Sequence, residues 1–466
     1  MSTVLPFSMP PGALESVIAA LKTMYGDRVN CSAAVRGQHA RGEGLSVTLP
    51  PDVVVWPENK HEVCAILALC NTHGVAVIAF GAGSSLEGHV SAPHGGVCVD
   101  MSRMDAVLAV NQGDGDCVVQ PGIRREELNA HLKGTGLFFS VDPGANATIG
   151  GMVSTRASGT TTLRYGSMAS NVLALEVALA DGRLIRLGTR ARKSSAGFDL
   201  VHLMVGAEGT LGIITEVTLR LHPLPADVAA ATCAFPSLHD AVAAVTDMSL
   251  CGIPFARIEF LDEHQIRACN QHSQLGLVEL STLFLEFHGT ELAVKEQAGL
   301  AQEIAASHGG VSFNWATRPE DRSQLWRARH LAYYAALALR PGCVSVVTDV
   351  CVPISALADC VSQARADIDR EGLVAPILGH VGDGNFHVLF MPMPDLPDEH
   401  AAVDRIYGAM VARALEVGGT CTGEHGIGMG KKDKLLEEYG QPVVDLMQGI
   451  KLVWDPKSIL NPGKIF

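Results

Sequence analysis

The spacing of apolar and polar positions changes character near the middle of the chain. In the first half, helical spacing predicts helices over 13–24 and 60–71, the second leading into a β-rich run at 75–80. Residues 117–121 read as a strand and 124–136 as a helix. From 142 to 166 the periodicity fades and small residues take over. The segment carries Asp142-Pro143-Gly144, Thr148-Ile149-Gly150-Gly151-Met152, Ala157-Ser158-Gly159-Thr160 and Arg164-Tyr165-Gly166. Such density predicts close backbone approach to a flat ligand, because a plain surface loop of that length is rarely so rich in glycine. Apolar runs at 172–180 and 183–187 flank Asp181-Gly182, a strong hairpin signal. Gly206-Ala207-Glu208-Gly209-Thr210-Leu211-Gly212 then precedes an alternating strand at 213–221. His222-Pro223-Leu224-Pro225 breaks the pattern and sets an expected boundary between domains 1–224 and 225–466.

Beyond it, helix-period segments at 238–249, 293–307, 318–339, 354–369, 402–417 and 442–453 alternate with strands at 256–261, 282–287 and 344–352. The second domain is therefore expected to be α+β, with helices laid over an antiparallel sheet.

Composition narrows the choices. A chain of 466 residues exceeds one ordinary core, and 47% hydrophobic with 18% charged residues suits a well-packed globular protein. A net charge of −14 without any basic stretch argues against nucleic-acid binding. The twelve cysteines are scattered with no Cys-x-x-Cys pair, which disfavours iron–sulfur ligation and predicts reduced thiols. No apolar run approaches the ~20 residues of a membrane span, and residues 1–12 lack a signal-peptide pattern. A soluble cytoplasmic protein is expected.

Candidate chemistry concentrates in Gly379-His380-Val381-Gly382-Asp383-Gly384-Asn385-Phe386-His387. Apolar runs at 377–381 and 386–390 around Gly-Asp-Gly-Asn predict a hairpin that pairs Val381 with Phe386 and His380 with His387. Facing residues hold their Cβ atoms roughly 4.5–5.5 Å apart, close enough for two imidazoles to chelate one ion. Glu424, in Gly423-Glu424-His425-Gly426-Ile427-Gly428, offers a third ligand and leaves His425 as a free base. A cross-strand histidine pair satisfied by hydrogen bonds would show the same spacing, but the Glu-His in a glycine-lined loop favours a site. Such a ligand set suits zinc, manganese or iron alike.

Phe80-Gly81-Ala82-Gly83-Ser84-Ser85-Leu86-Glu87-Gly88-His89 is the second informative stretch. Its Gly-x-Gly is not a Rossmann fingerprint. Leu86 stands where a third glycine or alanine belongs, and the chain runs into another strand at 97–100 rather than a helix. A loop between strands can still cradle a pyrophosphate with backbone N–H groups.

Taken together, these motifs, with Asn461-Pro462-Gly463, resemble FAD-linked oxidoreductases of the vanillyl-alcohol-oxidase type, over nearly the whole chain. The likeness is greatest to the branch of D-lactate, glycolate and D-2-hydroxyglutarate dehydrogenases. The resemblance implies a two-subdomain FAD-binding domain, an α+β cap, and a carboxy-terminal segment, 455–466, that returns to the flavin. It implies cofactor contacts from Gly81, Ala82, Gly83, Ser84, Ser85, Gly88 and His89. It also implies contacts from Pro143, Gly144, Thr148, Gly151, Ser158, Gly159, Tyr165, Glu208, Gly209, Ile214 and Asn461. Ser84 and Ser85 stand where flavinylated relatives carry a histidine, so FAD is expected to be non-covalent; Arg156 departs from the small or amide residue of many relatives.

The resemblance further implies oxidation of a D-2-hydroxy acid to a 2-keto acid. His425 would act as general base and Arg329 would grip the substrate carboxylate, beside a zinc, manganese or iron ion on His380, His387 and Glu424. Val347 and Leu389 replace the lysine and asparagine of hydroxyglutarate-oxidising relatives, which favours D-lactate or a short aliphatic analogue. The rival readings are a glycolate or D-2-hydroxyglutarate dehydrogenase, a metal-independent oxidase of phenols or sugars, and a metal-binding protein without turnover. Quinone, cytochrome c and electron-transfer flavoprotein are all open as electron acceptors, and a homodimer is open as the oligomer.

Overall fold

The computed structural model describes residues 7–44, 47–316 and 318–466. Residues 1–6, on which the signal-peptide reading partly rests, lie outside the described residues. The chain forms two compact units. The first comprises Met1–Ser158, Gly166–Leu224 and Glu424–Phe466, and the second Gly159–Tyr165 and Pro225–Gly423. The carboxy-terminal stretch that clusters with the first unit thus begins at Glu424, well before 455.

The first unit holds two main sheets. In one, Val53–Val55, Val97–Asp100 and Val77–Phe80 run parallel, with Val29–Asn30 antiparallel at the edge. Its central strands are unbroken valine-rich runs because both faces are buried. Helices Ala13–Tyr25 and Lys60–His73 contribute Val17, Leu21, Ile66 and Leu67 to this core. Asn59 caps the second helix by accepting the N–H groups of His61 and Glu62, and Gly74, at φ 68°, ends it. At the free side of Val77–Phe80, Val77 donates to the Ile459 carbonyl at 2.8 Å and accepts from the Asn461 N–H at 2.8 Å. A segment from the far end of the sequence therefore extends this sheet.

The other sheet is antiparallel, in the order Val107–Asn111, Asp116–Val119, Ile213–Arg220, Val172–Ala178, Leu184–Gly188. Ala178 faces Leu184 across the hairpin announced by Asp181-Gly182. The small-residue segment is not irregular throughout: Ile149–Ser154 is a helix capped by Thr148. Only six residues long, it offers too few positions for an amphipathic period to show.

The second unit is built on an eight-stranded antiparallel sheet. Its order is Val311–Ala316, Asp227–Phe235, Ser281–Gly289, Phe255–Leu261, Ile377–Gly379, Asn385–Phe390, Val346–Val347, with Val350–Cys351 also on Asn385–Phe390. Helices Leu238–Leu250, Glu291–Ser307 and Ile354–Glu371 carry buried apolar stripes. Asp227–Phe235 escapes a sequence reading because alanine is a poor strand former; two neighbouring strands hold it. The expected helix 318–339 divides at Leu331 into Pro319–His330 and Ala332–Ala338. The expected strand 344–352 survives as two short pieces on either side of Thr348-Asp349.

Candidate active site

The histidine hairpin forms in a different register from the expected one. Ile377 pairs with Val388 and Leu378 with His387, so His380 is not opposite His387. It lies beyond the strand, at the start of a short 3-10 turn over Val381–Asp383. Gly384, at φ 80°, closes that turn, and a Cβ there would fall 2.1 Å from the Val352 carbonyl oxygen. The three-residue turn absorbs the shift and still brings the two rings together, centroids 5.7 Å apart and nearly perpendicular.

Each ring is held through Nδ1. His380 Nδ1 lies 2.7 Å from Glu259 Oε1, and His387 Nδ1 lies 2.9 Å from the Thr348 carbonyl oxygen. A carbonyl and an Arg-paired carboxylate can only accept, so both rings carry their hydrogen on Nδ1. Their Nε2 atoms thus keep the lone pair that a metal requires. This arrangement fits a divalent ion.

Arg329 already has a partner within its own unit. Its guanidinium is almost fully buried and grips Glu259 Oε2 through Nε at 2.9 Å and Nη2 at 2.6 Å. One side of its fork is therefore spent inside the protein. Glu259, fully buried on Phe255–Leu261, was missed in the sequence; a lone acid inside a strand otherwise fit for a core was its only signal.

Within the same unit, Tyr165 Oη meets His288 Nδ1 at 2.7 Å, and His288 Nε2 meets Glu286 Oε1 at 2.9 Å. Burial pushes the Glu286 carboxyl up, but His288 and Arg257 outweigh it and hold its pKa below the carboxylate range. Glu286 accepts from His288, which in turn accepts from the Tyr165 hydroxyl. Burial raises the Tyr165 pKa and keeps it protonated. Of the expected cofactor residues, Gly159 and Tyr165 belong to this second unit.

In the first unit, the loop from Gly81 to His89 leaves one parallel strand and enters the next without a helix. Gly81 packs so closely that a Cβ would lie 2.2 Å from Thr148 Oγ1, and Gly83 and Gly88 hold φ 68° and 75°. The buried Ser85 Oγ has no hydrogen-bond partner among the described residues. A glycine cradle with an orphaned hydroxyl fits a phosphate-bearing cofactor.

Glu208 binds backbone within its own unit. Its carboxylate accepts the N–H groups of Ile427 at 2.7 Å and Gly428 at 2.8 Å, with His89 Nε2 at 3.3 Å. Ile214 lies in the core, and the Asn461 amide donates to the carbonyls of Glu208 and His89. Arg156, at φ 53°, spends its guanidinium on the carbonyls of Val205 and His202.

Glu424 is in this first unit, where its carboxylate accepts the Ser158 hydroxyl. His425 Nδ1 lies 3.7 Å from Glu87 Oε1, which also pairs with Lys431 at 3.1 Å. Burial raises the Glu87 carboxyl, but His425 and Lys431 outweigh it and hold its pKa low. Lys464, buried and donating to the Ser91 carbonyl at 2.7 Å, is lowered to about 7, chiefly by burial.

Known proteins share this architecture. Residues 51–188 match the FAD binding domain and residues 224–465 the C-terminal domain of FAD linked oxidases. A probable mitochondrial D-lactate dehydrogenase of Danio rerio is 47% identical, over 98% of this chain and 93% of its own. A mitochondrial D-lactate dehydrogenase [cytochrome] of Arabidopsis thaliana is 43% identical, over 97% of this chain and 80% of its own. The 4-ethylphenol oxidase of Gulosibacter chungangensis shares the fold at TM-score 0.81 and 19% identity, covering 99% and 98% of the two chains. The chain belongs to the FAD-linked oxidases, as an FAD-dependent oxidoreductase of the D-lactate dehydrogenase branch.

Proposed function

We propose that this protein oxidises D-lactate and short aliphatic D-2-hydroxy acids to 2-keto acids, using non-covalent FAD and a divalent ion on His380, His387 and Glu424. The observation that carries the metal is the shared tautomer of the two neighbouring histidines, each fixed at Nδ1 by an acceptor so that the lone pair lies on Nε2. When bound, FAD supplies a hydride acceptor and the ion a Lewis acid that acidifies the substrate hydroxyl.

The chain's own residues supply the rest. His425 takes the hydroxyl proton, with Glu87 on its Nδ1 side. Arg329 receives the substrate carboxylate on the end of its fork, since Glu259 occupies the Nε side. Val347 and Leu389 exclude a second carboxylate. Electrons pass on to a non-nicotinamide acceptor; the cytochrome named for the Arabidopsis relative favours that class. The cysteines of the described residues form no disulfide, which in our reading favours a reducing compartment, the cytoplasm.

Anaerobic addition of D-lactate to the purified, metal-loaded protein tests this. The flavin absorbance should bleach, and should fail to bleach after chelation until a divalent ion is restored. Bleaching that survives demonstrated metal removal excludes the metal from the reaction.

A further inference from the structure

Glu259 has a bond to each of two residues for which separate roles are proposed. Its Oε1 takes the Nδ1–H of His380, while its Oε2 takes both donors on one side of Arg329. No part of the residue is exposed, and it stands on the central strand Phe255–Leu261 opposite Phe284. A buried carboxylate needs charged or hydrogen-bonding partners, and these two supply them. A simple counterion for Arg329 would not need its second oxygen on an imidazole.

We propose that Glu259 is a positioning residue that couples the metal to the substrate grip. One carboxylate holds His380 with its lone pair on Nε2 and, at the same time, turns Arg329 so that only the end of its fork is left for substrate. The inference rests on the proposed roles of His380 and Arg329, and deepens them. Its consequence is that metal affinity and substrate affinity share one determinant, in a residue that touches neither ligand.

Glu259→Gln separates the two bonds. A glutamine oxygen can still accept from His380, but the amide NH2 then faces the guanidinium, donor against donor. The reverse orientation loses His380. The experiment measures the metal dissociation constant of full-length, FAD-loaded protein by competition with a chromophoric chelator, together with KM for D-lactate at saturating metal. The expected result is metal binding weakened by about 10–100-fold, and a raised KM that excess metal does not restore. Glu259→Asp keeps the charge but is too short to span both partners, and should fall between; it also serves if the glutamine variant does not fold.

A double-mutant cycle with His380→Ala, titrated with excess metal so that the weak affinity left in that background is measured, removes a purely structural explanation. If Glu259 acts through His380, Glu259→Gln costs no further metal affinity in that background. Equal losses in both backgrounds, or a glutamine variant with wild-type metal affinity and KM, overturn the proposal. Wild-type protein that binds no divalent ion would instead overturn the ligand assignment on which it rests.

Discussion

Val347 and Leu389 stand directly opposite one another on adjacent antiparallel strands. Leu389 is two residues from His387, hence on the same face of its strand, and it is buried. The two positions that the family resemblance marks for a second carboxylate are thus a single apolar pair. Against it a distal carboxylate would be desolvated without a partner, at a cost of several kcal/mol. A methyl or small alkyl group would gain about 0.8 kcal/mol per buried CH2. We expect kcat/KM to favour D-lactate and D-2-hydroxybutyrate over D-malate and D-2-hydroxyglutarate. The double variant Val347→Lys with Leu389→Asn should narrow that gap or reverse it. A wild-type preference for dicarboxylates, measured with one acceptor, would show that a cation elsewhere serves them.

His380→Ala and His387→Ala are expected to lose bound metal and nearly all turnover while keeping FAD, since both residues lie in the second unit. Glu424→Ala should differ. Its carboxylate accepts the Ser158 hydroxyl within the first unit, so this variant should also bind flavin less tightly. Metal content by elemental analysis, set beside the flavin-to-protein absorbance ratio, distinguishes the two patterns.

Acid precipitation should release the flavin into the supernatant, because Ser84 and Ser85 hold the loop positions where a covalent link would need a histidine. Yellow colour retained in the pellet would contradict this.

Lys464 gives the stability of the first unit a pH dependence of known sign. Its pKa is about 7 when folded, because burial disfavours the charged ammonium. In the unfolded chain it is about 10.4. Between those values the unfolded state binds a proton that the folded state does not, so stability rises with pH across the window and is lost as pH falls toward 7. The slope from one such group approaches about 1.4 kcal/mol per pH unit. Lys464→Met should remove that increment, seen as a smaller rise in Tm than wild type between about pH 7.5 and about pH 9.5. Parallel curves for the two proteins would assign the pH dependence to other groups.

What the sequence disclosed divides along a physical line. Long helices and the Asp181-Gly182 hairpin were legible because period and turn chemistry are local. The hairpin carrying His380 and His387 was legible as a hairpin, but its register was not. Glycines at 382 and 384 permit several turn geometries, and the observed one is set partly by the approach of the Val352 backbone. The helix Glu263–Ser273 went unread because its sequence is largely polar; it depends on the Asp262 cap and on burial of Ile266 and Cys269. Glu259 was hidden for a related reason. Its partners, Arg329 and His380, lie 70 and 121 positions away, and no local pattern links them.

The first unit is interrupted by the second, and the strand Val77–Phe80 receives its last neighbour from Ile459–Asn461. Asn461 also fastens the carbonyls of Glu208 and His89, and Glu208 anchors the loop at Ile427 and Gly428. During synthesis, residues 424–466 emerge only after the whole second unit has been made. Until then the nascent glycine cradle has an open sheet edge and a buried acid without its backbone donors. We therefore expect cofactor capture to wait for residues 424–466: a ribosome-bound fragment ending before Glu424 should remain colourless however much FAD surrounds it.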